Sequence, residues 1–479
     1  MESIWTQNVT PPTFPSLPGN ITADAAVIGG GICGILTAYF LQKEGLNVVI
    51  LEANTLCSGQ THLTTAKITY QHGLFYHNLI KEQGFTQAKC YADANRQAIS
   101  MYESLVGEHS IPCFFEKLPS YLYSASTQGT EILAKEKAAL LSLGLDCQMH
   151  RQGNYTALSV PGQAQFHPLL FLYGLSSGLQ IYEHTKVLRV KGHVIDTEKY
   201  TVTADKIIFA CHYPFPILPG AYFLKMHQER SYAIAVKTAQ MPPPGMYYGI
   251  DERTPSIRSF QDTVIIGGQG HRTGKNETAF RYQTLRTIAA EYFPEATTIR
   301  EWSAQDCISV DKLPYIGQFS PAEPDWYIAT GFHKWGMSLS MVSALLLTDL
   351  VCGRTSPYTE LFSPKRHWSS SAWKTFSQEV KQASISLSKS AFAPGAKIDC
   401  GLLPPGEGCI ARINGRKVGV YKDEDNILHF VSPRCPHLGC QLAWNPEEKT
   451  WDCPCHGSRF RATGELIDGP AQKGINVPR

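Results

Sequence analysis

The sequence predicts a mixed α/β fold followed by a small all-β domain, on three observations. Residues 24–52 run in the order strand, glycine turn, helix, strand and acidic residue, which is typical of a nucleotide-binding βαβ unit. Helical segments at 81–110 and 130–143 and strand-like segments at 200–203, 206–210, 232–236 and 263–268 then alternate as far as about residue 355. Short strands resume after residue 408. We expect four segments: a lead-in over 1–20, the α/β domain over 21–362, a linker over 363–396 and the all-β domain over 397–479.

Length, charge and apolar runs limit the class of protein. A chain of 479 residues is too long for one hydrophobic core, so two or three domains are expected. The net charge of +2, without long basic or acidic runs, argues against a nucleic-acid or membrane-surface partner. The longest apolar run, 337–351, is shorter than the roughly 20 residues that a transmembrane helix needs. Residues 1–20 lack the features of a signal peptide, so a cytoplasmic location is expected.

The first strand, 25–28, leads directly into a glycine-rich turn. Gly29 allows the chain to turn, and Gly31 lets a pyrophosphate approach the backbone at the N-terminus of the following helix. Gly34 lets that helix pack closely on the strand, and Glu52 follows the second strand, where it can bind the hydroxyl groups of a ribose. These residues predict a dinucleotide site, but NAD and FAD share the pattern.

The choice between NAD and FAD rests on later segments. The small polar stretch 57–69 suits a loop along the pyrophosphate, and further motifs follow at 302–303, 311–317 and 327–337. Over residues 21–355 the chain resembles the FAD-dependent amino acid and amine oxidases, the group of D-amino acid oxidase, glycine oxidase and sarcosine oxidase. The resemblance implies a Rossmann-like FAD-binding domain with an α+β substrate domain. It also implies cofactor contacts from Thr61, Thr65, Val187, Gly331, Gly336 and Met337.

The chain departs from that family at positions near the expected flavin. The strand ending at Ala210 runs into Cys211-His212-Tyr213-Pro214, where the family has a glycine-bearing turn. Ser338 stands where sarcosine oxidases carry a lysine that binds the substrate carboxylate. His62 follows Thr61 by one place, whereas the histidine that binds FAD covalently in some amine dehydrogenases follows its threonine by two. An ordinary loop histidine is the favoured interpretation of His62.

Candidate substrate-side residues are scattered over the chain. Lys67 could bind a substrate carboxylate or the flavin edge, although a solvated lysine is the alternative. The candidates for catalysis are Lys67, Tyr232, Arg258 and Lys334, and those for the lining of the substrate pocket also include His271 and Arg272.

Two Cys/His boxes near the C-terminus form the most specific motif of the chain. The first is Cys435-Pro436-His437-Leu438-Gly439-Cys440, and the second begins Cys453-Pro454-Cys455-His456-Gly457-Ser458. Their spacing allows two thiolates and two imidazoles, those of Cys435, His437, Cys453 and His456, to converge. This ligand set is that of a Rieske [2Fe-2S] centre. A structural zinc site is the alternative, but Gly439, Pro454 and Gly457 favour the tight turns that aim backbone N–H groups at sulfur.

Over roughly the last eighty residues the chain resembles the Rieske family, in its disulfide-bearing branch. The resemblance implies a disulfide between Cys440 and Cys455. Ser458 occupies the place of the family's serine donor to a bridging sulfide. Phe460 replaces a tyrosine donor, which implies a lower reduction potential than in the respiratory centres.

A Rieske centre can also feed a mononuclear iron held by two histidines and a carboxylate. His72 and His77 have a suitable spacing. Thr69 stands where the carboxylate is expected, so we favour ordinary polar residues near the flavin.

Together the two motifs predict an FAD-dependent oxidoreductase with a Rieske [2Fe-2S] cluster. We expect oxidation of a small amine, amino acid or hydroxy compound, with electrons passing one at a time through the cluster to an external one-electron carrier protein. The alternatives are a redox sensor without a dedicated substrate and a reductase running in the opposite direction. The substrate and the acceptor do not follow from the sequence.

Overall fold

A computed structural model describes residues 2–275, 280–392 and 402–476. The predicted fold class is confirmed: an α/β part with two large sheets precedes a small all-β domain. In chain order the described strands are β1 Ile21–Ile28, β2 Val48–Leu51, β3 Lys67–Ile68, β4 Glu116–Ser124, β5 Gln148–Gln152, β6 Tyr155–Gln165, β7 Gln180–Tyr182, β8 Val187–Lys191, β9 Val194–Thr197, β10 Thr201–Phe209, β11 Met226–Lys237, β12 Met246–Gly249, β13 Ser256–Phe260, β14 Thr263–Arg272, β15 Thr297–Ser309, β16 Tyr315–Ser320, β17 Glu323–Thr330, β18 Gly408–Ile413, β19 Arg416–Lys422, β20 Leu428–Val431, β21 Ala443–Asn445, β22 Thr450–Asp452, β23 Arg459–Arg461 and β24 Leu466–Asp468.

Eight of the nine described α-helices lie in the α/β part, and α9 lies in the segment 363–396 that follows it. The predicted helices at 81–110 and 130–143 correspond to three observed helices, because the first segment breaks at Gly84, whose φ is +86°. In chain order the described α-helices are α1 Ile32–Lys43, α2 Tyr76–Gln83, α3 Phe85–Glu108, α4 Thr127–Ser142, α5 Pro168–Leu175, α6 Arg281–Tyr292, α7 Gly336–Val351, α8 Thr359–Phe362 and α9 Ser370–Phe392.

The first sheet is the nucleotide-binding one, with strand order β16-β17-β10-β1-β2-β7. Strands β17, β10, β1, β2 and β7 are parallel, and β2 is buried along its whole length, as a strand covered on both faces requires. Helix α1 connects β1 to β2 and packs with α7 on the sheet. The residues of 200–210, expected as two strands, form the single strand β10.

The second sheet has the order β15-β11-β14-β13-β12-β4-β6-β3, with β5 beside β6. It contains the predicted strands at 232–236 and 263–268 and carries α6 on one face. The long antiparallel pair β11 and β15 brings the second sheet against the C-terminal domain.

The C-terminal domain, residues 402–476, consists of a three-stranded and a four-stranded antiparallel sheet. Its core contains Trp451 and Phe460, both fully buried, together with the four cysteines of the two boxes. Within the described ranges no helix is both long and apolar enough to cross a bilayer.

Candidate active site and cluster-binding site

The glycine turn after β1 forms one end of a large cavity. Gly29 has a φ of +114° and its N–H donates to the carbonyl of Leu51 (2.9 Å). Gly31 caps the N-terminus of α1. The carboxylate of Glu52 accepts hydrogen bonds from the N–H groups of Gly30 (2.7 Å) and Asn54 (2.8 Å). Burial raises the pKa of Glu52, and these backbone donors oppose the rise.

The first cavity has a volume of about 420 Å³ and extends from this turn to the start of α7. Its lining joins a helix N-terminus, which favours phosphate, to the apolar side chains of Phe332 and Met337, against which a flat ring can pack. Seven of the ten residues predicted to contact the cofactor line this cavity: Gly29, Gly31, Glu52, Thr61, Val187, Gly336 and Met337.

The other three residues predicted to contact the cofactor do not line the first cavity. Gly34 packs α1 onto β1, since a Cβ at this position would come 1.9 Å from the carbonyl oxygen of Gly29. Thr65 lines a second, neighbouring cavity. Gly331, with a φ of +76°, follows β17, and a Cβ there would meet Met226 and Ser309.

The second cavity, of about 260 Å³, adjoins the first. Thr64, Ala304, Asp306, Lys334 and Met337 line both. A small molecule in the second cavity would therefore lie against whatever occupies this end of the first.

Lys67 and Asp306 are two buried titratable groups that line the second cavity. The ammonium of Lys67 donates to the carbonyl of Tyr247 (3.0 Å) and to the hydroxyl of Ser256. Burial, with the nearby Arg258, lowers the pKa of Lys67 to about 7. Burial raises the pKa of Asp306 to about 7, although Lys334 opposes the rise. Sequence reasoning missed Asp306, because β15 also contains Arg300, Glu301 and Gln305 and its pattern does not single out Asp306.

The remaining candidates have varied surroundings. Tyr232 lines the second cavity, but its hydroxyl donates to Glu448 of the C-terminal domain (3.4 Å). Arg258 lines neither cavity. Its guanidinium donates to the carbonyls of Thr65 (2.6 Å) and Ala66 (2.7 Å) and so fixes the loop that contains these two residues.

The histidines singled out near the flavin loop have local roles. His62 lines neither cavity, and its Nδ1 contacts the carbonyl of Cys57 (3.2 Å). His72 is buried; its Nδ1 contacts the Tyr91 hydroxyl (2.7 Å), and its Nε2 contacts the Thr69 carbonyl (2.7 Å). With both ring nitrogens engaged, the geometry does not favour His72 as an iron ligand.

The two Cys/His boxes form matching loops, 435–440 and 453–458, which we call the first and second cluster loops. Gly439 donates to the carbonyl of Cys435 (2.9 Å) and Gly457 donates to that of Cys453 (3.0 Å). Both glycines have a φ of +80°, a conformation that disfavours other residues. Cys440 and Cys455 form a disulfide that joins the loops, as the resemblance implied.

The four predicted ligands face one another across the loops. The rings of His437 and His456 lie 5.0 Å apart, and each has a buried Nδ1 without a hydrogen-bond partner among the described residues. A hydrogen bond from Cys453 and the N–H groups of His437 and Leu438 lower the pKa of Cys435 to about 7, which favours the thiolate. An ordinary apolar core would not leave two buried imidazole nitrogens unpaired beside two buried thiols. A metal cluster would use all four groups as ligands.

The sulfur atoms of Cys440, Cys453 and Cys455 lie within 4.8 Å of one another. Two of these atoms are joined in the disulfide, so the trio lacks the free thiolates that a metal needs. The ligand set with the histidines is the one that the chemistry supports.

The second cluster loop docks directly on the N-terminal part. The side-chain amide of Gln228 donates to the carbonyl of His456 (2.6 Å), and that of Gln305 donates to the carbonyl of Gly457 (2.9 Å). The ring of Phe223 lies 5.8 Å from that of His456 and 6.5 Å from that of His437. Residues 466–472 of the C-terminal domain also line the first cavity. The histidine edge of the cluster loops therefore faces the N-terminal part, beside this cavity.

A buried ion pair joins the two parts of the chain. The carboxylate of Glu448 accepts from two nitrogens of Arg230 (2.5 and 3.1 Å) and lies 3.1 Å from Arg459. The side chains of Arg230 and Glu448 are 0% and 2% exposed. Although burial raises the pKa of Glu448, the two guanidinium groups lower it to about 2.

We expect Glu448→Ala to loosen the docked C-terminal domain by about 3 to 5 kcal/mol, because it leaves the Arg230 guanidinium buried and unpaired. Denaturant titration followed by visible circular dichroism of the cluster should show an earlier transition. Glu424→Ala is the matched control: it removes an acid of the same domain that pairs with Lys449 but is 68% exposed, and should cost under about 1 kcal/mol. Equal stability of the two variants would contradict a role for Glu448 in docking.

Comparisons with known proteins agree with this geometry. Residues 24–350 match the family described as FAD dependent oxidoreductase, and residues 401–479 match the Rieske [2Fe-2S] domain. The chain is 37% identical to YhfW of Bacillus subtilis (strain 168), named as a Rieske 2Fe-2S iron-sulfur protein, over 99% of this chain and 97% of YhfW. Over 57 residues it is 51% identical to the cytochrome b6-f complex iron-sulfur subunit 1 of Nostoc sp., which covers 12% of this chain and 32% of that subunit.

Solved structures share the fold of the N-terminal part. Glycine oxidase from Geobacillus kaustophilus superposes with a TM-score of 0.63 at 20% identity, over 72% of this chain and 99% of that protein. L-proline dehydrogenase from P. horikoshii gives a TM-score of 0.59 at 16% identity, over 73% of this chain and 98% of that protein.

Proposed function

We propose, from the premise that this chain belongs to the FAD dependent oxidoreductase family and carries a Rieske [2Fe-2S] domain, that it relays electrons from a small substrate through the cluster to an external acceptor. The substrate class that we propose is a small amine, amino acid or hydroxy compound. The external acceptor would be a one-electron carrier protein.

One observation carries this proposal: the histidine edge of the cluster loops lies against the N-terminal part, beside the first cavity. A Rieske domain that exchanged electrons only with other proteins would not have to lie next to this cavity. Electron transfer between two cofactors of one chain requires them to lie close together, and docking of this kind supplies that proximity.

We propose that the first cavity holds FAD. Gly31 and the N-terminus of α1 would receive the pyrophosphate, and Glu52 the ribose. At the other end, Gly336 and Met337 begin α7, whose N-terminus would favour negative charge on the flavin ring. The chain's remaining proposed cofactor ligands are those of the cluster: Cys435, His437, Cys453 and His456.

The second cavity is the proposed substrate site. Oxidation of an amine or alcohol breaks a C–H bond, whose hydride FAD accepts, and an N–H or O–H bond, whose proton needs a base. Asp306 lines both cavities and, with a pKa near 7, is suited to take that proton. Lys67 and Lys334 would orient an anionic or carbonyl group of the substrate.

Anaerobic substrate addition tests the relay. We expect one of a panel of amines, amino acids and hydroxy acids to bleach the flavin absorbance, and electron paramagnetic resonance then to show a reduced Rieske signal. In His456→Ala the flavin should still bleach, while the signal is absent. A cluster that stays oxidised beside fully reduced flavin would contradict the relay, and the absence of bleaching across the panel would favour a redox sensor.

A further inference from the structure

Arg272, at the end of β14, contacts the second cluster loop. Its guanidinium donates to the carbonyls of Pro454 (3.2 Å) and Cys455 (3.3 Å). In the sequence these two residues stand between two of the proposed cluster ligands, Cys453 and His456. Sequence reasoning made Arg272 a candidate for the lining of the substrate pocket, but it lines neither of the two cavities. Its charge therefore lies at the proposed cluster site.

The backbone that follows this arginine is bound closely to the same loop. Gly274 has a φ of +75°, and a Cβ there would come 2.5 Å from the backbone nitrogen of Pro454. Thr273 donates from its N–H to the carbonyl of Gln228 (3.0 Å) and from its hydroxyl to the side chain of Gln305 (3.2 Å). These are the two glutamines that hold the carbonyls of the second cluster loop. The N-terminal part thus fixes the position of the guanidinium.

An ion pair holds this guanidinium away from bulk solvent. The side chain of Arg272 is 14% exposed, and so is that of its partner Glu379, which belongs to α9. The Glu379 carboxylate also lies 3.2 Å from Nδ1 of His227. Although burial raises the pKa of Glu379, the contacts with His227 and Arg272 lower it to about 2. The carboxylate is therefore ionised, and an arginine keeps its charge in proteins.

The positive end of the ion pair is the one that faces the cluster loop. Nε and Nη2 of Arg272 donate to the two loop carbonyls, whereas Nη1 lies 2.9 and 2.7 Å from the two carboxylate oxygens of Glu379. The two partners thus occupy different edges of the guanidinium. The cation is in direct contact with the loop, and the anion lies behind it, toward His227.

A fixed cation at this place favours the reduced form of a Rieske cluster. Two ferric ions, two sulfides and two cysteine thiolates sum to zero charge, and the added electron gives the cluster one negative charge. Net charge and hydrogen bonding around a cluster are among the properties that set its reduction potential. Shelter from solvent preserves the attraction, because water and salt screen a buried charge much less than an exposed one.

We propose that the charge of Arg272 raises the reduction potential of the cluster from the N-terminal part of the chain. The proposal rests on the cluster ligand set and, for its part in electron transfer, on the proposed function. Phe460 stands where the Rieske family has a tyrosine donor, and the loss of that donor lowers the potential. Arg272 offsets this loss. Because it belongs to β14, it does so only while the second cluster loop is docked, where electrons arrive from the first cavity.

An equilibrium redox titration tests the proposal without a substrate. The full chain with both cofactors is titrated with dithionite and mediators, at a pH low enough that the potential no longer changes with pH. Electron paramagnetic resonance then gives the reduced fraction of the cluster. In Arg272→Gln we expect the equilibrium constant for reduction to fall about tenfold, or about 59 mV for one electron. Glutamine can still donate to a loop carbonyl, but it carries no charge.

Two further variants separate charge from structure. Arg272→Lys keeps the charge without the paired hydrogen bonds and should restore most of the wild-type midpoint. Glu379→Gln removes the opposing charge and should raise the midpoint, since His227 stays charged at this low pH beside Glu229 (3.5 Å). Arg286→Gln is the matched control and should leave the midpoint unchanged. Its guanidinium bonds Gln283 and Glu301 in and beside α6, and its side chain is 41% exposed.

The direction of the shift decides the result. A loop that only loosened in Arg272→Gln would expose the cluster to water, which stabilises the charged, reduced form and raises the midpoint. An unchanged or raised midpoint in Arg272→Gln would overturn the proposal, as would a midpoint in Arg272→Lys equally far below the wild type. A wild-type protein without a reduced Rieske signal would overturn the cluster itself. A cluster that substrate does not reduce, with the expected shift still present, would count against the proposed function alone.

Discussion

Gly31→Val is expected to abolish flavin binding while iron content stays at the wild-type value. The position lines the first cavity at the N-terminus of α1, where a pyrophosphate must approach the backbone. A Cβ at Gly31 meets only the hydroxyl of Thr61, at 2.9 Å, and the two methyl groups of valine would extend into the cavity itself. The φ of Gly31 is −86°, which valine adopts without backbone strain, so the turn itself can remain while the Thr61 hydroxyl, which accepts from the N–H of Ile32, moves to make room.

The measurement is flavin released by denaturation, per mole of chain, beside iron by colorimetric assay. Gly107→Ala is the matched control, since Gly107 lies in α3 with open space around it and an ordinary φ. Gly34 would be a poor choice, because a Cβ there would strike the Gly29 carbonyl and disturb the fold. Normal flavin content in Gly31→Val would show that the first cavity is not the FAD site.

The local motifs of this chain could be predicted because their geometry is short-range. From β1 to Glu52 one βαβ unit places Gly29, Gly31 and Glu52 around the same helix N-terminus, whatever the rest of the chain does. The two cluster loops are likewise closed by their own hydrogen bonds, at Gly439 and Gly457. Sequence spacing alone fixes such contacts.

Contacts made between distant segments could not be predicted in this way. Gln228 and Gln305 hold the second cluster loop from β11 and β15, yet an isolated glutamine in a strand has no distinguishing pattern. The pKa of Asp306 is raised only in the folded chain, where distant segments bury its carboxyl group. The resemblance to the oxidases implies a cofactor contact for Thr65, but its carbonyl accepts from the guanidinium of Arg258, and the residue lines the second cavity.

The contact between the C-terminal domain and the N-terminal part is the largest feature that could not be predicted from the sequence. Its central ion pair joins Arg230 and Glu448, which are 218 residues apart. Residues 466–472 form part of the wall of the first cavity, so the proposed flavin site depends on both parts of the chain. The motifs assign one cofactor to each part of the chain, but they do not predict that both parts line the same cavity.

Cys453→Ser is expected to remove the cluster, with iron at background and no visible Rieske absorbance, while FAD stays bound. Cys453 is 1% exposed and faces Cys435 across the loops, and a serine hydroxyl does not replace a thiolate on iron. His456→Ala should have the same result, because it removes a nitrogen ligand. The two variants therefore test one sulfur ligand and one nitrogen ligand of the proposed set separately.

FAD should survive because contacts outside the cluster loops, above all the buried Arg230–Glu448 ion pair, also hold the C-terminal domain in place. Its core around Trp451 and Phe460 and the Cys440–Cys455 disulfide remain, and Glu448 lies between β21 and β22, outside the cluster loops. Cys409→Ser, in β18 of the same domain, is the matched control and should keep both cofactors. Parallel loss of iron and flavin in Cys453→Ser would show instead that the cluster holds the domain against the first cavity, and that the two cofactor sites form one cooperative unit.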